Sequence, residues 1–220
     1  MSYIYKPGRR ELYEQIKNYA GVVRGRVLDV GSSSFPRYKN LFDFTEYVTM
    51  DVAPGADVEG SAEAIPFPDA SFDAIVCTQV LGDVYDLRAA FREFYRVITP
   101  GGVALITENL YDSLHGEPHD YWRFTEHSFR RLAEDAGFAI ETLERRGGYH
   151  SVIAQMRARY WIERLAAHRR WFARPMSITL RILGAWARLR DRHDTSRANK
   201  LFTHGYLLIV RKNRETSLHS

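Results

Sequence analysis

The sequence predicts a doubly wound, mostly parallel α/β sheet. Apolar, β-branched runs that stop at glycine, aspartate or polar turns alternate along the chain with amphipathic helical segments, and that alternation carries the reading. Residues 7–20 come first as a short helix with Leu12, Ile16 and Tyr19 on one face and Gly21 as its stop. Residues 26–34, RVLDVGSSS, are a continuous apolar run closed by glycine and serines, the pattern of a central strand buried on both faces. EYVTMDV at 46–52 repeats it, and SFDAIVCTQV at 71–80 makes a third strand. Residues 86–98 place Leu87, Phe91, Phe94, Tyr95 and Ile98 along one side of a helix. A turn at 99–102, TPGG, leads into a fourth strand, VALITE. Thr125 is placed to cap the helix EHSFRRLAEDAG, Gly137 ends it, and AIETLERR follows as a strand. Residues 151–198 break the alternation with Arg- and Trp-rich helices interrupted at Pro175. The strand THGYLLIVRK at 203–212 then closes the chain ahead of a frayed tail, NRETSLHS.

With 220 residues the chain fits one domain, 1–220, in which 151–200 is a basic helical insert or lid. A composition of 45% hydrophobic and 26% charged residues excludes disordered, collagen-like and coiled-coil chains. The single cysteine, Cys77, excludes an intramolecular disulfide and any multi-cysteine metal site, and suits a reducing compartment. The start MSYIYKPGRR meets charge and proline before any apolar run, and no stretch is apolar enough to span a bilayer. A cytoplasmic protein, at most peripheral to a membrane, is expected. The net charge of +4 hides an asymmetry: from Arg145 to Arg214 there are 17 Lys and Arg against Glu163, Asp191 and Asp194.

In open α/β sheets ligands sit at the carboxyl ends of the strands. The first strand ends Leu28-Asp29-Val30-Gly31-Ser32-Ser33-Ser34, where Gly31 allows a turn and a close backbone approach. This is not a G-x-G-x-x-G loop, so pyrophosphate binding of the nicotinamide type is poorly supported. Asp51 ends the second strand 20 residues after Gly31, where a carboxylate accepts hydrogen bonds from both ribose hydroxyls. An aspartate there also serves an ordinary turn, and the serines an ordinary helix cap.

VLDVGSSS, TMDV, GSAEAIPFPDASFDAIVCTQVL and FREFYRVITPGGVALIT together resemble the class I S-adenosylmethionine-dependent methyltransferases, type 11 group, across residues 25–147. The resemblance implies a seven-stranded Rossmann-like sheet with an antiparallel last strand, which THGYLLIVRK fits. It also implies S-adenosylmethionine as cofactor. Asp29, Gly31, Ser32 and Ser33 then flank the methionine moiety, and Asp51 holds the ribose with Val52 against the adenine. Ser61, Ala62 and Glu63 lie along the adenine edge, and Thr78 and Gln79 approach the methionine amino group. The chain departs from the family at Ser33, where a second glycine is usual, and at Ser61, where an aspartate is usual. It departs again at Gly82-Asp83, where a histidine is common.

The loop 109–124 carries two histidines, three carboxylates, two tyrosines, a tryptophan and an arginine, far more than a connector needs. Its P-H-D-Y-W-R-F-T segment is similar to the loop of type 11 relatives encoded with glycan biosynthesis enzymes. His119 beside Asp120 reads as a base with an orienting carboxylate, and His115 is a second base candidate. Tyr121 and Trp122 offer faces for a sugar, Arg123 a clamp for an acidic group, and His150 a further substrate contact. The alternative is that the aromatics pin the loop and Arg123 pairs with a nearby carboxylate. His115, Glu117 and His119 are possible metal ligands by type, but nothing else supports a metal and none is expected.

In the insert, Arg174, Arg181 and Arg188 recur every seven residues with Arg192 a turn later, while Leu180, Leu183, Trp186 and Leu189 occupy other faces. Arg157, Arg164 and His168 form a similar stripe beside Met156, Tyr160 and Trp161. These patterns fit a lid or dimer surface, or peripheral contact with anionic lipid. Nucleic acid is disfavoured because no recognised nucleic-acid module accompanies the charge. The expected activity is methylation of a small or glycan-like acceptor at oxygen. The alternatives are a non-catalytic module acting through the basic helices and an RNA methyltransferase.

Overall fold

A computed structural model describes residues 6–32, 35–167 and 172–214. The expectations for Ser33, Ser34 and His168, and for the tail past 214, lie outside the described residues. The chain divides into two compact units. One, holding the sheet, comprises Ile16–Asn109, His115–Glu144 and Tyr206–Ser220. The other, holding the long helices, comprises Met1–Gln15, Leu110–Leu114 and Arg145–Gly205.

The sheet has seven strands: β1 (Arg24–Val30), β2 (Asp43–Asp51), β3 (Val58–Glu59), β4 (Phe72–Thr78), β5 (Ile98–Asn109), β6 (Ala139–Arg146) and β7 (Gly205–Arg211), in the order β3-β2-β1-β4-β5-β7-β6. The β2-β3, β1-β2, β1-β4 and β4-β5 ladders are parallel. The far end is antiparallel: Gly101 N–H donates to Lys212 O and Lys212 N–H to Gly102 O. The predicted doubly wound class and its antiparallel last strand are what the chain adopts. Strand β4 lies between β1 and β5, so Ala74, Ile75, Val76 and Cys77 are buried, which is why it reads as an unbroken apolar run.

Helix α2 (Leu87–Val97) is capped by Asp86, whose carboxylate accepts from Ala89 N–H at 2.9 Å, and it buries Ala90, Phe91, Phe94 and Val97. Helix α3 (Glu126–Asp135) starts at a reciprocal cap between Thr125 and Ser128. Phe72, Phe91, Phe94, Phe124 and Phe129 are the largest side chains of the core these elements share. One expectation is corrected. The segment 99–102 is no separate turn; β5 already starts at Ile98 and passes through it with a register shift opposite Phe72/Ala74. The irregularity sits at the two glycines. Gly101 has φ +84°, and a Cβ at Gly102 would lie 2.7 Å from Asp73 O.

In the helical unit, α4 (Tyr149–Arg164) and α5 (Ala173–His193) share a cluster of Ala158, Ile162, Ala173 and Leu180, joined by Ala167 from the segment between them. Small residues let the helices approach closely. Pro175 falls in the first turn of α5, where its missing N–H breaks no intrahelical bond, so it marks a start and not a kink. Asp191 of α5 caps α4 from outside, accepting from the N–H groups of Gly148, His150 and Ser151 at 3.0 Å each. A four-residue helix, α6 (Arg197–Lys200), follows. Helix α1 (Pro7–Tyr19) opens the chain and buries Leu12 and Ile16, as its periodicity predicts. No helix of the described residues is long and apolar enough to cross a membrane.

Candidate active site

The connections out of β1 and β4 run to opposite sides of the sheet, so a crevice opens at the carboxyl ends of these two strands. A cavity of about 380 Å³ lies there within the sheet unit. Gly31 follows β1 with φ +74°, and its N–H donates to Met50 O at 2.7 Å. A Cβ at this position would lie 2.3 Å from Val80 Cγ2, so both the conformation and the space demand glycine. Gly31→Ala is expected to cost roughly 2 kcal/mol through left-handed strain and overlap, read as a lowered denaturation midpoint; an unchanged midpoint would sink this account of the turn. Gln79, after β4, has φ +60° without being glycine, and its N–H donates to Thr107 O at 2.9 Å. Strain of this kind concentrates at ligand sites.

Of the residues expected around the cofactor, Gly31, Asp51, Val52, Ser61, Ala62, Glu63 and Gln79 line the cavity. Asp51 Oδ1 accepts Ala53 N–H at 2.9 Å, which leaves Oδ2 without a donor among the described residues. Val52 beside it is 70% exposed, an apolar side chain with no core to enter. Ser61 Oγ accepts Glu63 N–H at 3.2 Å, and Glu63 Oε1 accepts Asp86 N–H at 2.6 Å. Asp29, Ser32 and Thr78 are not among the lining residues. Asp29 is 4% exposed and takes the Tyr47 hydroxyl at 2.7 Å; burial pushes its carboxyl up to about 6. Ser32 Oγ turns back to Asp29 O at 3.4 Å. Both stiffen the β1 turn. The expectation for Ser33 lies outside the described residues.

Val80, Asp83, Val84, Tyr85, His119 and Tyr121 complete much of the lining. His119 Nδ1 shares a hydrogen bond with Tyr121 Oη at 2.8 Å, and the Tyr121 ring meets Tyr85 edge-on at 5.4 Å. Burial pushes the Asp83 carboxyl up, opposed by the charges of His115, Arg123 and His119. The expected pairing of His119 with Asp120 does not form. Asp120 instead takes both arms of the Arg123 fork, at 2.5 and 2.8 Å, and the backbone N–H of His115 at 3.0 Å. Those bonds hold its carboxyl well below the usual range, so Asp120 braces the loop and does not orient His119. The Arg123 fork is correspondingly committed to Asp120. The His115 ring lies 3.8 Å from Asp120 and is not in the lining set. Trp122 has an exposed side chain outside that set, and its backbone N–H donates to Gly82 O at 3.1 Å. His150 belongs to the helical unit, against Trp186 and Asp194. Asp83, His115 and Asp120 bring ligand atoms within 4.8 Å of one another. The guanidinium already neutralises one of them, so the group makes no case for a cation.

One organising residue escaped the sequence reading. Glu108, buried near the end of β5, accepts Leu81 N–H at 2.6 Å, and the amides of Val80, Gly82 and Asn109 are also directed at its carboxylate. It thereby shapes the 80–83 segment of the cavity. Gly82 O in turn accepts the N–H groups of Tyr121 and Trp122. Its only sequence signal was an acidic residue closing an otherwise apolar strand.

Comparison with known proteins bears on the family and the fold. The methyltransferase-domain family model of type 11 matches residues 28–106. The ubiquinone/menaquinone biosynthesis C-methyltransferase of Xanthomonas oryzae pv. oryzae (strain MAFF 311018) is 49% identical over 98 residues, covering 44% of this chain and 36% of the relative. The chain thus spans about a third of the length of such curated relatives. Among solved structures, the [4+2]-cyclase SpnF aligns with TM-score 0.59 at 22% identity, over 94% of this chain and 81% of that one. Phosphoethanolamine N-methyltransferase 2 of Haemonchus contortus, in complex with S-adenosyl-L-methionine, aligns with TM-score 0.56 at 17% identity, over 94% and 53%. Residues 28–106 thus resemble a class I S-adenosylmethionine-dependent methyltransferase domain of type 11. The cofactor of that class is S-adenosylmethionine, and the residues present fit it. An open carboxylate oxygen at Asp51 suits a ribose diol, and exposed Val52 with Ala62 suits a purine face.

Proposed function

We propose that the chain transfers the methyl group of S-adenosylmethionine to an oxygen of a small or glycan-like acceptor. The observation that supports this reading is a cavity lined from two kinds of stretch. Gly31, Asp51, Val52 and 60–63 suit a nucleoside, whereas Asp83, Tyr85, His119 and Tyr121 suit a hydroxylated acceptor. When bound, the cofactor supplies an electrophilic methyl carbon; the chain's own task is to position the acceptor in line with it. Tyr85 and Tyr121 offer ring faces on which a sugar or aryl ring stacks. In the tautomer that donates Nδ1–H to Tyr121 Oη, His119 keeps Nε2 bare to take the acceptor's hydroxyl proton. The curated relatives, C-methyltransferases by name, are matched over only about a third of their own length, so their acceptor is not carried over to this chain.

The test combines calorimetry of the purified protein against S-adenosylmethionine with transfer of labelled methyl to a panel of glycosides and phenols. Label is expected on oxygen, and His119→Ala is expected to lower turnover about a hundredfold while leaving cofactor affinity intact. Label on carbon or nitrogen, or full turnover in the variant, would overturn the reading. Absence of cofactor binding would favour a non-catalytic module, and label on RNA would favour the third alternative.

A further inference from the structure

Helix α5 is apolar on its exposed face as well as on its buried one. Its buried face is Ala173, Leu180, Gly184 and Ala187. The opposite face, where water would favour charge, carries Ile178, Ile182, Trp186 and Leu189, each at least half exposed. Their spacing of four, four and three residues keeps them on one stripe along three turns. Leu183, also half exposed, widens it. Arginines flank the stripe: Arg174 and Arg192 project on one side, and Arg190 on the other stacks its guanidinium over Trp186 at 5.3 Å. The only acidic residue of the helix, Asp191, is spent on the amides at the start of α4.

We propose that this face of α5 lies in the interface of an anionic lipid membrane, with the apolar stripe among the acyl chain ends and the flanking arginines at the phosphates. Charge decides the occupant. A second copy of the chain docked face to face would set arginines against arginines with no carboxylate to answer them. A nucleic acid would need cations at the centre of the face, where Ile182 and Trp186 stand. An anionic bilayer matches both parts: apolar depth along the middle and negative charge along the edges.

The experiment is flotation of the full chain with vesicles of phosphatidylcholine alone and of phosphatidylcholine with phosphatidylglycerol, at low and high salt. The chain is expected on the anionic vesicles, with binding that weakens as salt rises. The double variant Ile182→Asp/Trp186→Asp should lose at least about tenfold in partition. Both positions are exposed, so its circular dichroism should match the parent. Arg174→Glu/Arg192→Glu should lose the preference for anionic lipid. No binding at low salt, or binding untouched by the Ile182/Trp186 variant, would overturn the proposal. So would a dimer in light scattering that this variant dissociates. The readout is membrane partition and stands apart from methyl transfer.

Discussion

Glu108→Ala is expected to lower stability by about 3 kcal/mol, because it removes a buried carboxyl acceptor and strands the amides it served. For a chain of this size that corresponds to a fall in Tm of about 6–12 °C, measurable by thermal or chemical denaturation. The damage should not stay local. Glu108 holds Leu81 N–H at 2.6 Å, and Gly82 O holds the amides of Tyr121 and Trp122, so the segment that presents Asp83 and the loop that presents Tyr121 share one anchor. The variant should therefore also lose acceptor turnover under conditions where it is folded. A midpoint within about 0.5 kcal/mol of the parent, the range of an ordinary surface substitution, would remove Glu108 from this role.

The same residue gives a pH signature with a definite sign. Burial pushes its carboxyl up to about 7, opposed by the amide hydrogen bonds. An unfolded glutamate titrates near 4.3, so the folded state keeps its proton over a range where the unfolded state has released it. The stability contributed by this group is fully present below the unfolded value and is lost as pH rises through about 7. Glu108→Gln, neutral throughout, lacks that slope, and its deficit against the parent should shrink from pH 5 toward pH 8. Chemical denaturation at both pH values decides it: a constant gap would mean the carboxyl does not titrate in this window.

Sequence periodicity reached the sheet because local pattern and tertiary burial agree there. β4 reads as buried and is buried, and Thr125 reads as a cap and acts as one; Asp86, read as the first residue of its helix, is the cap instead. The Gly31 and Asp51 pairing was legible for the same reason, since both follow strands whose ends the fold must bring together. Side-chain partnerships were not. Asp120 is adjacent to His119 in the chain, yet in the loop its carboxylate faces Arg123 three residues on. Adjacency in sequence says little about direction where the backbone is irregular. Glu108 meets Leu81 across 27 residues, a contact set by strand pairing that no linear spacing encodes. The outward apolar face of α5 was half legible. Leu183, Trp186 and Leu189 were named in the sequence, but together with Leu180, which packs toward α4; Ile178 and Ile182 of the exposed stripe were not.

Asp51→Ala is expected to reduce affinity for S-adenosylmethionine at least about tenfold, since losing hydrogen bonds to a charged group costs roughly 1.5–3 kcal/mol. Two roles meet in this side chain and must be separated. Oδ1 accepts Ala53 N–H at 2.9 Å and shapes the turn after β2, whereas Oδ2 is the oxygen available to a ribose. Asp51→Asn keeps an oxygen for Ala53 but loses the charge and one acceptor. If the carboxylate serves the ribose, the asparagine variant should keep the parent's denaturation midpoint and still bind cofactor weakly, close to the alanine variant. If Asp51 only shapes the turn, asparagine should bind as the parent does and alanine alone should fail, with a lowered midpoint. Calorimetry on the three proteins, with S-adenosylmethionine and its demethylated product, separates these cases. Val52 gives an independent check on the same pose. An apolar side chain 70% exposed beside Asp51 has a use if a purine covers it, so Val52→Ser should weaken the nucleoside and leave the fold unchanged.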